Sequence, residues 1–158
     1  MNKINLQKGI SLVETLVYVA IFSIFVASLL QFSNTLYVAR LQGQDIFEVN
    51  GQGAQAVGVM TQAIRNANTL SSPEIGTSSS LLSINTTFPI LFSEIDGVLY
   101  VNENGGPLIA LTNNKVSVSN LTFSNFSNPG APDSIQIRFT VSGNNYTNNF
   151  YGTATLRK

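Results

Sequence analysis

No charged residue interrupts Thr15–Ala39, a run of 25 residues that is apolar along most of its length. As a helix rising about 1.5 Å per residue it is about 37 Å long. That is enough to cross a hydrocarbon core about 30 Å thick. A segment this apolar needs lipid or other protein around it, and this limits what the chain can become. A short leader, Met1–Lys8, precedes it with Lys3 and Lys8 as its only charges. Lysines on that flank favour a cytoplasmic N-terminus. At the junction stand Gly9-Ile10-Ser11-Leu12-Val13-Glu14. Glu14 is the anomaly. A carboxylate in an apolar span costs on the order of 3 kcal/mol to insert, and such residues are functional suspects by default.

An ordinary secretory signal has an apolar core of about 7–15 residues and a small-residue cleavage site. This run is too long for that, although Val26-Ala27-Ser28 and Val38-Ala39 mimic such sites. An uncleaved single-pass anchor accounts for the span and leaves Gly9 and Glu14 unexplained. The basic leader, the Gly-apolar-Ser-Leu-Val-Glu run and the apolar span together resemble the class III signal of type IV prepilins and pseudopilins. The resemblance implies cleavage after Gly9 by a prepilin peptidase and N-methylation of Ile10, the first mature residue. Glu14 then falls at the fifth mature position, where the family carries its glutamate. Glycine offers no side chain to crowd a peptidase site. Cleavage places an ammonium at Ile10, and residues four apart share a helix face. An anion in a low-dielectric medium needs such a counter-charge, from its own chain or from a neighbour. The family is thought to use the neighbour, which gives Glu14 a role in assembly.

About 120 residues follow the span, enough for one modest domain with a single core. Eight acids balance eight bases, but two of the bases are Lys3 and Lys8, so the mature chain is weakly negative. That is no nucleic-acid footprint. With 10% charged residues and many Asn, Ser and Thr, the surface is polar yet nearly neutral. This suits an exported protein that packs against its own kind. The chain has neither Cys nor His. The domain must therefore hold together without disulfides, and the commonest transition-metal ligands, the usual general base and the thiol nucleophile are missing.

After Arg40 the apolar residues become periodic. Ile46, Val49, Val57, Met60, Ile64 and Ala67 fit one helical face, while Asp45, Glu48, Gln52, Gln55, Gln62 and Arg65 fall largely on others. The pattern predicts one long helix from Ile10 to about Asn68. Gly43, Gly51, Gly53 and Gly58 each cost about 1 kcal/mol against Ala there. They allow either a bend near Gly51–Gly53 or the close approach of another element. Leu70–Ser80 reads as a loop. Strand-like runs follow at Leu81–Asn85, Phe88–Phe92, Val98–Val101, Leu108–Leu111, Lys115–Phe126 (with a slip of phase at Asn120) and Phe150–Leu156. Ile135, Ile137, Phe139 and Val141 alternate with polar residues in the clearest half-buried strand. Asp96-Gly97 signals a type I′ hairpin. The fold class is α+β and pilin-like, one long N-terminal helix packed on a C-terminal antiparallel β-sheet domain. Its parts are a leader over 1–9, a transmembrane or filament-core half-helix over 10–36, an amphipathic half over 37–69 and a globular β domain over 70–158.

Ala20-Ile21-Phe22, Pro107-Leu108, Leu111-Thr112, Val116–Phe123 and the terminal Leu156-Arg157 resemble the minor pseudopilins, particularly the J class of type II secretion. Glu14 sets the chain apart from the tip class, which typically lacks this glutamate. Among the acids of the β region, Glu94, Asp96, Glu103 and Asp133, no Asp-x-Asp-x-Asp-Gly loop occurs. Asn102–Gly106 is the best calcium candidate, and solvated turns explain these residues more simply. Paired carboxylates such as Glu94 and Asp96 could also hydrolyse a glycoside. Lys115, Arg138, Arg157 and Lys158 are too scattered to make an electrostatic case for nucleic acid. Phe88, Phe92, Phe123, Phe126, Phe139 and Phe150 read as core. Four Asn-x-Ser/Thr sequons, at Asn85, Asn120, Asn125 and Asn145, are what so Asn- and Thr-rich a chain produces by chance.

The expected function is a structural subunit of a type IV pilus or type II secretion-type filament, a minor pilin or pseudopilin with no enzymatic role, cofactor or metal. By resemblance its partners are the prepilin peptidase, other pilin or pseudopilin subunits, the inner-membrane assembly platform and membrane lipid. The expected location is a single pass of the inner membrane with an extracytoplasmic C-terminal domain, then a filament in the periplasm or at the cell surface. The alternative is a membrane-anchored binding module that never polymerises.

Overall fold

A computed structural model of the protein describes residues 11–157. Its first element, α1 (Leu12–Asn66), is a single α-helix of 55 residues. It runs unbroken through Gly51 and Gly53. Ser11 caps its start and Arg65 lies in its last turn, where a cation favours the helix dipole. The helix ends two residues before the expected Asn68. The Asn68 amide there donates to the Asn85 carbonyl at 2.8 Å, handing the backbone to a sheet.

Contacts divide the chain into two compact units, Met1–Leu41 and Gln42–Lys158. In the first, every described side chain is exposed. In the second, the helix buries Val49, Gly53, Ala56, Met60 and Ile64, a stripe with steps of three and four residues. Ile46, expected on that stripe, is 43% exposed. Among the described residues nine strands follow: β1 (Thr69–Ser72), β2 (Ser78–Ser79), β3 (Leu82–Asn85), β4 (Pro89–Ile95), β5 (Val98–Glu103), β6 (Leu108–Ala110), β7 (Ser117–Asn125), β8 (Ser134–Ser142) and β9 (Thr147–Thr155). They form two sheets rather than one. Five strands pair in the order β1-β3-β4-β5-β6 and four in the order β2-β7-β8-β9, with every pair antiparallel.

The stretch expected as a loop, Leu70–Ser80, contributes β1 and β2 instead. No apolar alternation marks it because both strands sit at sheet edges and pair chiefly through the backbone. Thr69 and Leu70 pair with β3, and Ser78 and Ser79 with β7. The connection between them is pinned by a buried polar group. Asn125 Nδ2 donates to the Pro73 carbonyl at 3.1 Å, and Asn125 Oδ1 accepts from both the amide and the hydroxyl of Ser127. Ser127 Oγ accepts in turn from the Ser134 amide at 2.8 Å. A buried polar network of this kind is tolerable only when its members are satisfied, and no described buried side-chain polar atom lacks a partner.

Asp96 and Gly97, with φ of 52° and 78°, close the β4–β5 hairpin as the type I′ turn their sequence predicts. The phase slip in β7 is a bulge. Asn120 takes a φ of 54° and the register with β8 shifts between Ser119 and Thr122. The extra residue keeps both Val118 and Leu121 on the inner face. In β8, Ile135, Ile137, Phe139 and Val141 all point inward. The cross-strand pair Phe139–Phe150 stacks with ring centroids 5.5 Å apart. The helix stripe and the inward residues of both sheets form one core cluster. Phe92, Phe123 and Phe139 are in it, and Phe150 packs against it. Phe88 and Phe126, also expected there, are exposed.

Asp45 and Glu48 do not lie on a free polar face. Asp45 Oδ2 accepts from the Asn145 amide and from Asn145 Nδ2, each at 3.1 Å. Glu48 Oε1 accepts from Lys115 Nζ at 2.9 Å. The Lys115 ammonium, helped by the Asn113 amide, holds the Glu48 carboxyl below its ordinary value near 4.5. A depressed folded-state value gives stabilisation that is present above the unfolded value and lost as the pH falls through the folded one. Glu48→Gln is therefore expected to lower the melting temperature more near neutral pH than near pH 3. The difference is small because exposed pairs contribute little. Melts of the full chain in detergent at the two pH values check it.

Candidate functional site

Gly9 and Ile10 lie outside the described residues. Glu14 is within them, in the first turn of α1. Its amide donates to Ser11 Oγ at 3.2 Å, so Ser11 is the helix N-cap and Glu14 the N3 residue. Ser11-x-x-Glu14 is a capping-box sequence, a signal legible in the chain. The carboxylate itself turns the other way, and its Oε1 accepts from the Tyr18 hydroxyl at 3.2 Å. A negative group in the first turn sits at the positive end of the helix dipole.

Beyond Glu14 the helix presents only uncharged side chains as far as Arg40. One window of 18 residues reaches a mean hydropathy of 2.2 with none of it buried, so this helix is long and apolar enough to cross a membrane. Three of its hydroxyls are paired within the helix. Ser23, Ser28 and Thr35 donate to the carbonyls of Val19, Ile24 and Gln31, one turn back, at 2.7–3.0 Å. Such back-bonding satisfies a hydroxyl inside its own helix.

The other candidates are engaged in turns and pairs. Glu94 Oε1 accepts from the Gly97 amide at 2.7 Å, bracing the hairpin whose tip holds Asp96. In Asn102–Gly106 the Asn102 side-chain amide donates to the Gly106 carbonyl at 2.7 Å, and Asn104 and Gly105 take positive φ. Among the described residues no three of His, Cys, Asp and Glu come together. Lys115 is paired with Glu48, and Arg138 lies 5.5 Å from the centre of the Tyr151 ring. Arg157 lines a groove with Gln62, Arg65 and Thr153. Lys158 lies outside the described residues.

Residues 4–30 match the family model of the prokaryotic N-terminal methylation motif. The chain carries a prepilin signal. This motif is the class III signal peptide of type IV pilins and pseudopilins, and it marks a pilin-like precursor. It implies processing by a prepilin peptidase and assembly with other pilins. The matched residues include Gly9, Ile10, Glu14 and Tyr18 and stop short of the β region. Neither the curated proteins nor the solved structures gave a match to this chain. The motif is a structural one, not an enzymatic one, and with the apolar helix it agrees with a membrane-anchored protein.

Proposed function

We propose that the chain is a structural filament subunit, a minor pilin or pseudopilin of a type IV pilus or a type II secretion-type machine. The match over residues 4–30 carries this reading. Lys3 and Lys8 hold the leader on the cytoplasmic side. The peptidase cuts after Gly9 and methylates Ile10. The charge-free half of α1 rests in lipid while Glu14 waits for a counter-charge. Assembly exchanges lipid contacts for helix–helix contacts, and in the absence of water these are driven by packing and polar pairing. Glu14 takes the methylammonium of a neighbouring subunit in that step. The β domain stays on the extracytoplasmic side and faces outward from the filament.

The N-terminus and intact mass of the protein from its native membranes test the reading. A chain that begins at Ile10 and is one methyl group heavier than its sequence is the expected result. A chain beginning at Met1, or cut near Ser28 or Arg40, overturns it and leaves an anchored or secreted β domain.

A further inference from the structure

Tyr18 is the neighbour of Glu14 that the filament reading leaves without a role. The residue is 61% exposed, so no core within its own chain explains it. A helical side chain leans back toward the N-terminus and meets the residue four positions earlier. Ser23, Ser28 and Thr35 are short enough to turn their hydroxyls onto a backbone carbonyl. The Tyr18 hydroxyl stands at the far end of a rigid ring and reaches the side chain of Glu14 instead, at 3.2 Å. In hydrocarbon a phenolic O–H and a carboxylate both lose their water, and each is costly to leave unpaired. Here the hydroxyl is paired and the carboxylate is paired in part. The bond uses Glu14 Oε1 alone, and Oε2 accepts from no described residue.

We propose that Tyr18 is the positioning residue for Glu14. Its hydroxyl fixes the carboxylate through Oε1 and leaves Oε2 open to the N-terminal methylammonium of another subunit. The proposal rests on the filament reading and assigns a second residue to that same site. A carboxylate held in one orientation loses less freedom when the ammonium arrives.

The test uses the full-length chain in its own cells, as wild type, Tyr18→Phe, Glu14→Gln and the double variant. Three quantities are measured for each: N-terminal mass, amount in the membrane and amount in the sheared filament fraction. Phenylalanine keeps the ring and removes only the donor. Tyr18→Phe is expected to be cleaved, methylated and present in the membrane as wild type is, with its filament fraction down about tenfold, in line with losing a hydrogen bond to a charged group. The double variant is expected to match Glu14→Gln. Wild-type incorporation by Tyr18→Phe overturns the proposal. So does a double variant that falls below Glu14→Gln by the same factor, because the hydroxyl then acts without the carboxylate. Failure of Tyr18→Phe to be cleaved also overturns it by moving the hydroxyl to peptidase recognition. If Glu14→Gln already abolishes the filament fraction, the single Tyr18→Phe result decides. Failure of the underlying reading shows separately, as a wild-type chain that is not processed or is absent from the filament fraction.

Discussion

Glu14→Ala is expected to yield a chain that is cleaved and methylated at Ile10, accumulates in the membrane and is lost from filaments by a factor of a hundred or more. Two effects push the same way. A carboxylate in an apolar helix costs on the order of 3 kcal/mol to insert, so its removal favours the lipid-embedded state. In the filament the neighbour's ammonium would be left buried and unpaired, and breaking a buried pair costs about 3–5 kcal/mol. A shift of that size exceeds a hundredfold, since about 1.4 kcal/mol is a factor of ten. Quantifying the subunit in membranes and in sheared filaments checks the prediction. A Glu14→Ala protein that functions in full would instead favour the anchored module that never polymerises.

The largest expected effect on folding lies at Gly53. A Cβ at this position would overlap the ring of Phe150, whose far end occupies the space a side chain would need. That ring cannot give way cheaply because it is stacked on Phe139 in the core. Gly53→Leu is expected to destabilise the domain by about 3 kcal/mol, the upper end for overpacking, despite the better helix propensity of leucine. Gly51 and Gly58 lie on the same helix with nothing within 4 Å of an added Cβ. Alanine at either should raise stability by up to about 1 kcal/mol. Denaturant unfolding of the full chain in detergent separates the three. Equal behaviour at Gly51, Gly53 and Gly58 would remove the packing explanation. A partial rescue of Gly53→Leu by Phe150→Ala would locate the clash at that ring.

The glycines show where reading the chain reaches its limit. All four in α1 carry the same propensity cost, and nothing local distinguishes Gly53 from Gly51 or Gly58. The difference comes from a ring about a hundred positions later in the chain. β1 and β2 pose the same difficulty. Edge strands that pair through the backbone need no apolar alternation, so Leu70–Ser80 looks like a loop until β3 and β7 are in place beside it. The division of the strands into two sheets is a matter of pairing partners, which periodicity does not encode. Phe88 and Phe126 fit apolar runs in the sequence, yet one precedes β4 and the other follows β7, and both end up exposed. By contrast, the I′ turn at Asp96-Gly97, the slip at Asn120 and the alternation in β8 are local backbone chemistry, and the structure reproduces each of them.

At the candidate site the balance is reversed. The leader, Gly9, Ile10, Glu14 and the charge-free span form a linear pattern, legible because a contiguous motif and local hydropathy can be read without knowing the fold. No tertiary contact is needed to make 25 uncharged residues insoluble in water or to make a carboxylate among them costly. What the sequence by itself determined is this signal, the long helix and the β character of the remainder. Only the tertiary structure decided that Asp45 and Glu48 bind Asn145 and Lys115, and that Gly53 must stay bare under Phe150. The reason is physical: local propensity and hydropathy act over a few residues, whereas a side chain's partner is chosen by whatever the whole chain brings within a few ångströms of it.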